Sequence, residues 1–232
     1  VVVLYGMIYF SYGTYVDHSY GFGDMYTHHS WIYGLLEGKV FSAGIYPEAM
    51  HCFIYAMRQL FGIKVFSSLL FVAGIHVATL LIAAYCFLKE VFRSRYTSLL
   101  ILTSFLVLDL MCIDEIFSMS RLQWTLPQEF ALYTQFLCVL YLVRYLRTTR
   151  NPRKENGKRK LVVWDENLFL FMMALAASLA IHFYVTIMAF FLCASFAVFL
   201  LHRIFCRGNF RSLVAAVLAG VFLAVAPMGL AY

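Results

Sequence analysis

Long apolar runs recur along this chain and limit the folds that it can adopt. A helix needs about 20 apolar residues to cross a bilayer, with a usual range of about 17 to 25. Four runs have this length and carry few charges: Phe66–Leu88, Thr97–Ile113, Phe130–Leu146 and Leu213–Tyr232. They predict an all-α fold, a polytopic bundle of membrane-spanning helices.

The composition agrees with that prediction. Hydrophobic residues make up 63% of the 232 residues and charged residues 13%, and the mean hydropathy is +0.80. A soluble domain carries roughly a quarter charged residues, so this chain falls outside that class. Its net charge of +6 would suggest nucleic acid in a soluble protein. Here we expect no nucleic-acid partner, because the basic residues mark one side of a membrane.

Two further apolar stretches bring the predicted number of spans to seven. Val1–Phe10 has the composition of part of a span, and Asn167–Phe205 is about twice the length of one and is interrupted by His182. We therefore expect a tight hairpin of two spans that turns at His182. The chain begins without Met inside one apolar run and stops at the end of another, so we expect a fragment truncated at both ends. No linker divides it, and residues 1–232 are predicted to form a single transmembrane module.

Two shorter segments are predicted to lie flat on the membrane. Thr27–Gly38 and Glu48–Gly62 follow the first apolar run and are too short to cross comfortably. The second also carries His51 and Arg58 within an otherwise apolar helical pattern. We interpret both segments as interfacial helices in the first outer loop.

The basic residues give the orientation. With Glu48–Gly62 in the interface, the 18 Lys and Arg residues divide into fourteen on the inner face and four outside, the four being Lys39, Arg58, Lys64 and Arg121. If that segment crossed the membrane, the asymmetry would disappear. The positive-inside rule therefore predicts an inner N-terminus and an outer first loop.

The first outer segment, Asp17–Pro47, holds the main candidates for chemistry. Polar, ionisable residues beside a bilayer are costly, and such a cluster is by default a candidate site. Asp24 stands at the start of a helical pattern, with His28 four residues later and Trp31 on the same face. An Asp24–His28 hydrogen bond is therefore within reach. Asp24 suits equally a helix cap and a catalytic base.

The second outer segment, Asp114–Phe130, adds charged candidates. The adjacent Asp114 and Glu115 offer oxygen ligands to a divalent cation such as Mg²⁺ or Mn²⁺. Arg121 suits a phosphate ligand. The alternative for Arg121 is snorkelling toward lipid phosphates.

This arrangement resembles the GT-C superfamily of integral-membrane glycosyltransferases. The resemblance rests on the run from Gly23 to Ile32 (GDMYTHHSWI), on the Gly44–Pro47 turn, on His51, and on two interfacial helices between spans. The family transfers sugars from polyprenyl-phosphate donors at the outer leaflet. The resemblance thus implies a polyprenyl-phosphate-linked sugar donor and a glycan, lipid or protein acceptor, with an active site on the outer face of a bacterial plasma membrane.

The resemblance also implies roles for particular residues. Asp24 is expected to act as general base toward the acceptor hydroxyl, and His28 to orient it or contact the phosphate. Arg121, Arg58 or a cation held by Asp114 and Glu115 would offset the phosphate charge. Trp31 and Asp17 are predicted to contact substrate.

Two other functions fit the same spans. One is a transporter or flippase for lipid-linked or small polar substrates, which would place ionisable residues such as His76 near the bilayer midplane. The other is a membrane scaffold without catalysis. A shared cavity formed by Asp24 and the Asp114–Arg121 loop would favour the enzyme.

Overall fold

The computed structural model describes residues 1–20, 23–41, 44, 46–111, 120–148, 164–205 and 208–231. In that part of the chain the regular structure is entirely helical, which confirms the predicted all-α class. There is one short 3-10 helix, Ser120–Gln123. The α-helices are α1 (Val2–Asp17), α2 (Gly23–Leu36), α3 (Ala49–Phe61), α4 (Val65–Phe92), α5 (Arg95–Met111), α6 (Pro127–Thr148), α7 (Glu166–Ile181), α8 (Phe183–Phe199), α9 (Leu201–Ile204) and α10 (Asn209–Ala231).

Two of the described helices are long and apolar enough to cross a membrane, α4 over Val65–Phe92 and α10 over Asn209–Leu230. The apolar parts of α5, α7 and α8 are shorter, at 10–17 residues each. Many large apolar side chains of α10 are exposed, including Leu218 at 65% and Phe222 at 69%. Exposed apolar surface of this extent is typical of contact with lipid or another protein. These helices indicate membrane association, and the count of seven spans stays a prediction.

The run predicted to form a hairpin of two full spans at His182 is divided into three helices. His182 is extended, with φ −161 and ψ 122, and it separates α7 of 16 residues from α8 of 17 residues. The remainder of the run forms the separate four-residue helix α9. Asp165 caps α7 by accepting a hydrogen bond from the Leu168 backbone N–H at 2.8 Å.

The chain divides into two compact units, the first formed mainly by Val1–Tyr133 and the second by Thr134–Leu230. In the first unit, α1 packs along α4, and the 3-10 helix lies against both. Close approach of α1 and α4 depends on small residues: a Cβ on Gly6 would lie 2.5 Å from Leu81 Cδ1. His76, inside α4, hydrogen-bonds through Nε2 to the Leu122 carbonyl at 3.0 Å. This bond ties α4 to the segment that carries Arg121.

The second unit has its own core and its own polar ties. Its core consists of side chains from α6, α7, α8 and α10, among them Leu146, Leu168 and Phe171. Arg203 Nη1 donates to the backbone carbonyls of Leu146 and Arg147, at 3.1 and 2.8 Å. The guanidinium therefore satisfies carbonyl groups that the end of α6 would leave without helical partners.

We expect Gly220→Ala to destabilise the second unit. A Cβ at this position in α10 would meet the Met172 backbone oxygen at 3.0 Å and Leu175 Cδ2 at 3.5 Å. Overpacking of this kind costs about 1–3 kcal/mol, which exceeds the gain of about 1 kcal/mol from alanine's helix propensity. The melting temperature in detergent should fall. Gly229→Ala in the same helix is the control, because a Cβ there has no neighbour within 4 Å, and an equal fall in both variants would contradict the expectation.

Candidate functional site

Helices α2 and α3 and the short segment before α3 bring four aromatic and histidine rings together. His28 lies 4.9 Å from Trp31 and 5.1 Å from His51, measured between ring centroids. The Tyr46 ring is 5.3 Å from Trp31 and 6.0 Å from His51. His28 and Trp31 meet because residues three apart share a helix face. This contact agrees with the predicted shared face of His28 and Trp31 on α2.

A hydrogen bond between two histidines joins the helices. His28 Nδ1 lies 2.9 Å from His51 Nε2, and both rings are buried. Burial, and to a smaller extent the neighbouring His28, lower the pKa of His51 to about 3. His51 is therefore uncharged at neutral pH, and a single proton lies between the two ring nitrogens. The sequence placed Asp24 within reach of His28, but the hydrogen bond of this Nδ1 goes to His51.

Tyr46 links the two sides of the site. Burial raises its pKa to about 12, with further contributions from the negative charges of Glu129 and Asp24. Both carboxylates are thus close enough to act on one phenol. Asp24 lies in the first turn of α2, as predicted, and is exposed. Glu129 lies in the first turn of α6.

Arg121 reaches this group through Glu129. Arg121 Nε donates to Glu129 Oε1 at 2.7 Å, and the Arg121 side chain is 50% exposed while that of Glu129 is 5% exposed. The guanidinium is therefore held by a buried carboxylate on one side and open to solvent on the other. The other carboxylate oxygen, Glu129 Oε2, is buried and has no hydrogen-bond partner in the described part of the chain.

We call these seven residues the Tyr46 cluster: Asp24, His28, Trp31, Tyr46, His51, Arg121 and Glu129. Four of them were predicted from the sequence as site residues, namely Asp24, His28, Trp31 and Arg121. All seven belong to the first compact unit. Residues about a hundred positions apart in the chain therefore share one site.

Of the other predicted site residues, Arg58 and Asp17 do not join the cluster. Arg58 is exposed near the end of α3, where its Nη1 donates to the Gly62 carbonyl at 3.2 Å, so its contact is with a helix end. Asp17 is exposed as the last residue of α1. Asp114 and Glu115 lie outside the described residues. Among the residues that are described, no group of three His, Cys, Asp or Glu side chains is placed to hold a metal ion.

Three members of the cluster had no assigned role in the sequence analysis. His51 occurs with Met50 and Ile54 on the buried face of α3, which is the pattern of a core position. Glu129 follows Pro127 at a helix start, where an acid is ordinary. Tyr46 occurs in a turn. In each case the local signal was that of a structural residue, because the partner is distant in sequence.

We expect the stability of the protein to fall in mild acid because of His51. The unfolded chain protonates this histidine near pH 6.5 and the folded chain only near pH 3. The free energy of unfolding therefore decreases as the pH drops below about 6.5, by about 1.4 kcal/mol per pH unit for one such group. In His51→Gln, whose amide can still reach His28, melting temperatures between pH 7.5 and 4.5 should show a shallower decline. His202→Gln, at an exposed histidine of α9, is the control, and an unchanged slope in His51→Gln would contradict the expectation.

Chemically, the Tyr46 cluster combines an exposed carboxylate, a half-exposed guanidinium, a buried imidazole pair and two aromatic rings. Such a set can accept a proton, bind an anion and contact an apolar ring face. Neither models of protein families, nor curated proteins, nor solved structures give a match to this chain.

Proposed function

We propose that this protein is a membrane glycosyltransferase of the GT-C type, which moves a sugar from a polyprenyl-phosphate donor to an acceptor hydroxyl. The observation that carries the proposal is the contact between Phe53 of α3 and Phe130, 5.5 Å between ring centroids, because it brings the start of α6 beside the helix pair that holds Asp24 and His28. The ion pair of Arg121 with Glu129, next to Phe130, lies at this start of α6. A base and a phosphate-binding cation are the two groups that this transfer needs most. In this proposal the two groups come from separate parts of the sequence, as expected of such an enzyme.

The proposed topology has seven spans, an inner N-terminus and the Tyr46 cluster at the outer face of a bacterial plasma membrane. The distribution of basic residues supports it, as do the two long apolar helices. Helices α2 and α3 then lie in the interface. α3 suits that place because it buries Met50, His51 and Ile54 on one side and exposes Arg58 on the other. The whole chain acts as one glycosyltransferase-like module in this proposal.

The proposed reaction is a single displacement at the anomeric carbon. The acceptor oxygen attacks that carbon and gives its proton to the Asp24 carboxylate. The bond from the anomeric carbon to the phosphate oxygen breaks, and the electron pair leaves with the polyprenyl phosphate. Arg121 stabilises the negative charge that develops on the leaving phosphate. Phosphate needs no general acid to leave, so one carboxylate suffices for proton transfer.

The imidazole pair has a positioning role in this mechanism. The His28–His51 bond fixes α2 against α3, and Asp24 lies one turn before His28 on α2. Trp31 presents an aromatic face next to Tyr46 that suits a sugar ring. A Mg²⁺ or Mn²⁺ ion bound by Asp114 and Glu115 would add charge at the phosphate.

The transporter interpretation has less support. It would use His76 as an ionisable group within a span, but the hydrogen bond from His76 to the Leu122 carbonyl gives this residue a structural role. The polar groups of the first unit are better explained by a site at the ends of the helices. The acceptor in the proposed reaction is a glycan, a lipid or a protein.

The test measures sugar transfer by the purified protein in liposomes. Polyprenyl-phosphate sugars carrying labelled hexoses or pentoses are incubated with the protein and an acceptor mixture from the bacterial envelope. Time-dependent formation of free polyprenyl phosphate and of a labelled acceptor is expected for at least one sugar. Movement of intact donor across the bilayer without cleavage would instead identify a flippase. If neither cleavage nor movement occurred, both functions would be overturned.

A further inference from the structure

Glu129 holds a buried charge that is only half satisfied. The residue is 4% exposed, and its Oε1 accepts the hydrogen bond from Arg121 at 2.7 Å. Its Oε2 is buried and has no hydrogen-bond partner in the described residues. A buried charged oxygen without a donor is costly, so the great majority of such atoms in folded proteins are paired. A donor from outside the chain would remove this cost.

We propose that Glu129 Oε2 binds a hydroxyl group of the sugar carried by the donor lipid. This inference rests on the proposed function and extends it, because it assigns a residue to the sugar where Arg121 is assigned to the phosphate. An ionised carboxylate can only accept hydrogen bonds, so the ligand atom opposite Oε2 is a donor. A hydrogen bond to a charged acceptor is also among the stronger ones in proteins.

The charges of the site favour a neutral donor over a cation. Arg121 already balances the charge of Glu129 at 2.7 Å, so the ion pair as a unit is neutral. The first turn of α6, with its positive dipole end, stabilises the negative carboxylate further. A bound cation would gain little from such a pair. A hydroxyl group brings the required hydrogen without adding charge.

The surroundings favour a hydroxyl on a ring with apolar faces. Phe130, next to Glu129, lies 5.5 Å from Phe53 between ring centroids. Tyr46, whose hydroxyl responds to the Glu129 charge, lies 5.3 Å from Trp31. A sugar combines several hydroxyl donors with C–H faces that pack on aromatic rings. We therefore assign Glu129 to the sugar side of the donor and Arg121 to its phosphate.

The test compares two lipids in the wild-type protein and in Glu129→Gln. Glutamine keeps an oxygen that can accept from Arg121 but removes the negative charge that strengthens the bond to the hydroxyl. The Kd for the polyprenyl-phosphate sugar should rise about 10- to 100-fold, the range expected for loss of a hydrogen bond to a charged group. The Kd for bare polyprenyl phosphate should stay within about twofold. Equal weakening toward both lipids would mean that Glu129 acts only through Arg121 and would overturn the inference.

Two further variants control for misfolding and for effects on lipid binding that are not specific to Glu129. Glu129→Asp keeps the charge but withdraws it by one methylene, so its Kd for the sugar lipid should lie between those of wild type and Glu129→Gln. Glu166→Gln is the matched control, because Glu166 is an acid in the first turn of α7 but is exposed. It should bind both lipids as the wild type does. Unchanged sugar-lipid binding in Glu129→Asp and Glu129→Gln would overturn the inference.

Failure of the proposed function would be distinguishable from failure of this inference. If the wild type binds neither lipid and cleaves no donor, the proposed function is wrong. Free hexoses and pentoses then probe Glu129 directly, through the rise in melting temperature that a bound ligand causes. The rise should occur in the wild type and be largely lost in Glu129→Gln. Equal responses of the two proteins, including no response in either, would overturn the assignment of Glu129.

Discussion

Replacing Asp24 by asparagine is expected to lower the rate of sugar transfer by about 10²- to 10⁴-fold, the usual contribution of a general base. Asparagine keeps the size of the side chain but cannot take the proton of the acceptor hydroxyl. Because Asp24 is exposed, the change should leave the melting temperature within about 1 °C of the wild type. The measurement is the initial rate of polyprenyl-phosphate release in liposomes at saturating donor.

The control for Asp24 is Glu37→Gln. Glu37 follows α2, is exposed, and pairs with Lys39 at 2.8 Å. The substitution therefore changes a carboxylate to an amide in the same segment without touching the Tyr46 cluster. Its transfer rate should match that of the wild type. Full activity of Asp24→Asn would remove Asp24 from the mechanism, and Glu129 would then be the next carboxylate to test as the base.

Replacing Arg121 by glutamine is expected to reduce both activity and stability. Loss of the positive charge at the leaving phosphate should lower kcat by about 10²- to 10³-fold, as for removal of one group that stabilises transition-state charge. Loss of its ion pair with the buried Glu129 should cost about 1–3 kcal/mol of unfolding free energy. The loss is smaller than for a fully buried pair because the Arg121 side chain is 50% exposed. Transfer kinetics and chemical denaturation measure the two effects separately.

A double replacement separates the two roles of Arg121. In Arg121→Met combined with Glu129→Met, no buried charge is left without a partner, so most of the lost stability should return. Activity should stay low, because the phosphate lacks its cation and the sugar lacks the Glu129 carboxylate. If the double variant regained activity together with stability, Arg121 would be a structural residue alone. Arg121→Lys, which keeps the charge without the planar fork of guanidinium donors, should retain part of the rate.

The helices of this protein follow closely from its sequence. The structure places α4, α6 and α10 within a few residues of the predicted Phe66–Leu88, Phe130–Leu146 and Leu213–Tyr232. The short segments Thr27–Gly38 and Glu48–Gly62 likewise correspond to α2 and α3. Hydrophobic periodicity and helix length are local properties, so a single sequence carries them. Whether a helix crosses a membrane also depends on its surroundings. Among the described helices, only α4 and α10 are long and apolar enough to do so.

The candidate site could be predicted from the sequence only where its contacts are between residues close together in the chain. The spacing of Asp24, His28 and Trp31 on α2 predicted a shared segment, and the His28–Trp31 contact agrees with it. The partner of His28 proved to be His51 on the next helix, 23 residues away. Arg58, which the sequence analysis assigned to the phosphate, proved to contact a helix end through its guanidinium.

What the sequence determined by itself was a helical, strongly apolar chain with a polar segment between its first two long apolar runs. What only the tertiary structure decided was which polar groups of distant segments meet. Phe53 of α3 meets Phe130 at the start of α6, and Glu129 beside it pairs with Arg121, because α3 and the start of α6 belong to one compact unit. The physical reason is that helix formation depends on neighbouring residues. The pairing of buried charges depends on packing, which brings together groups that have no fixed spacing in the sequence.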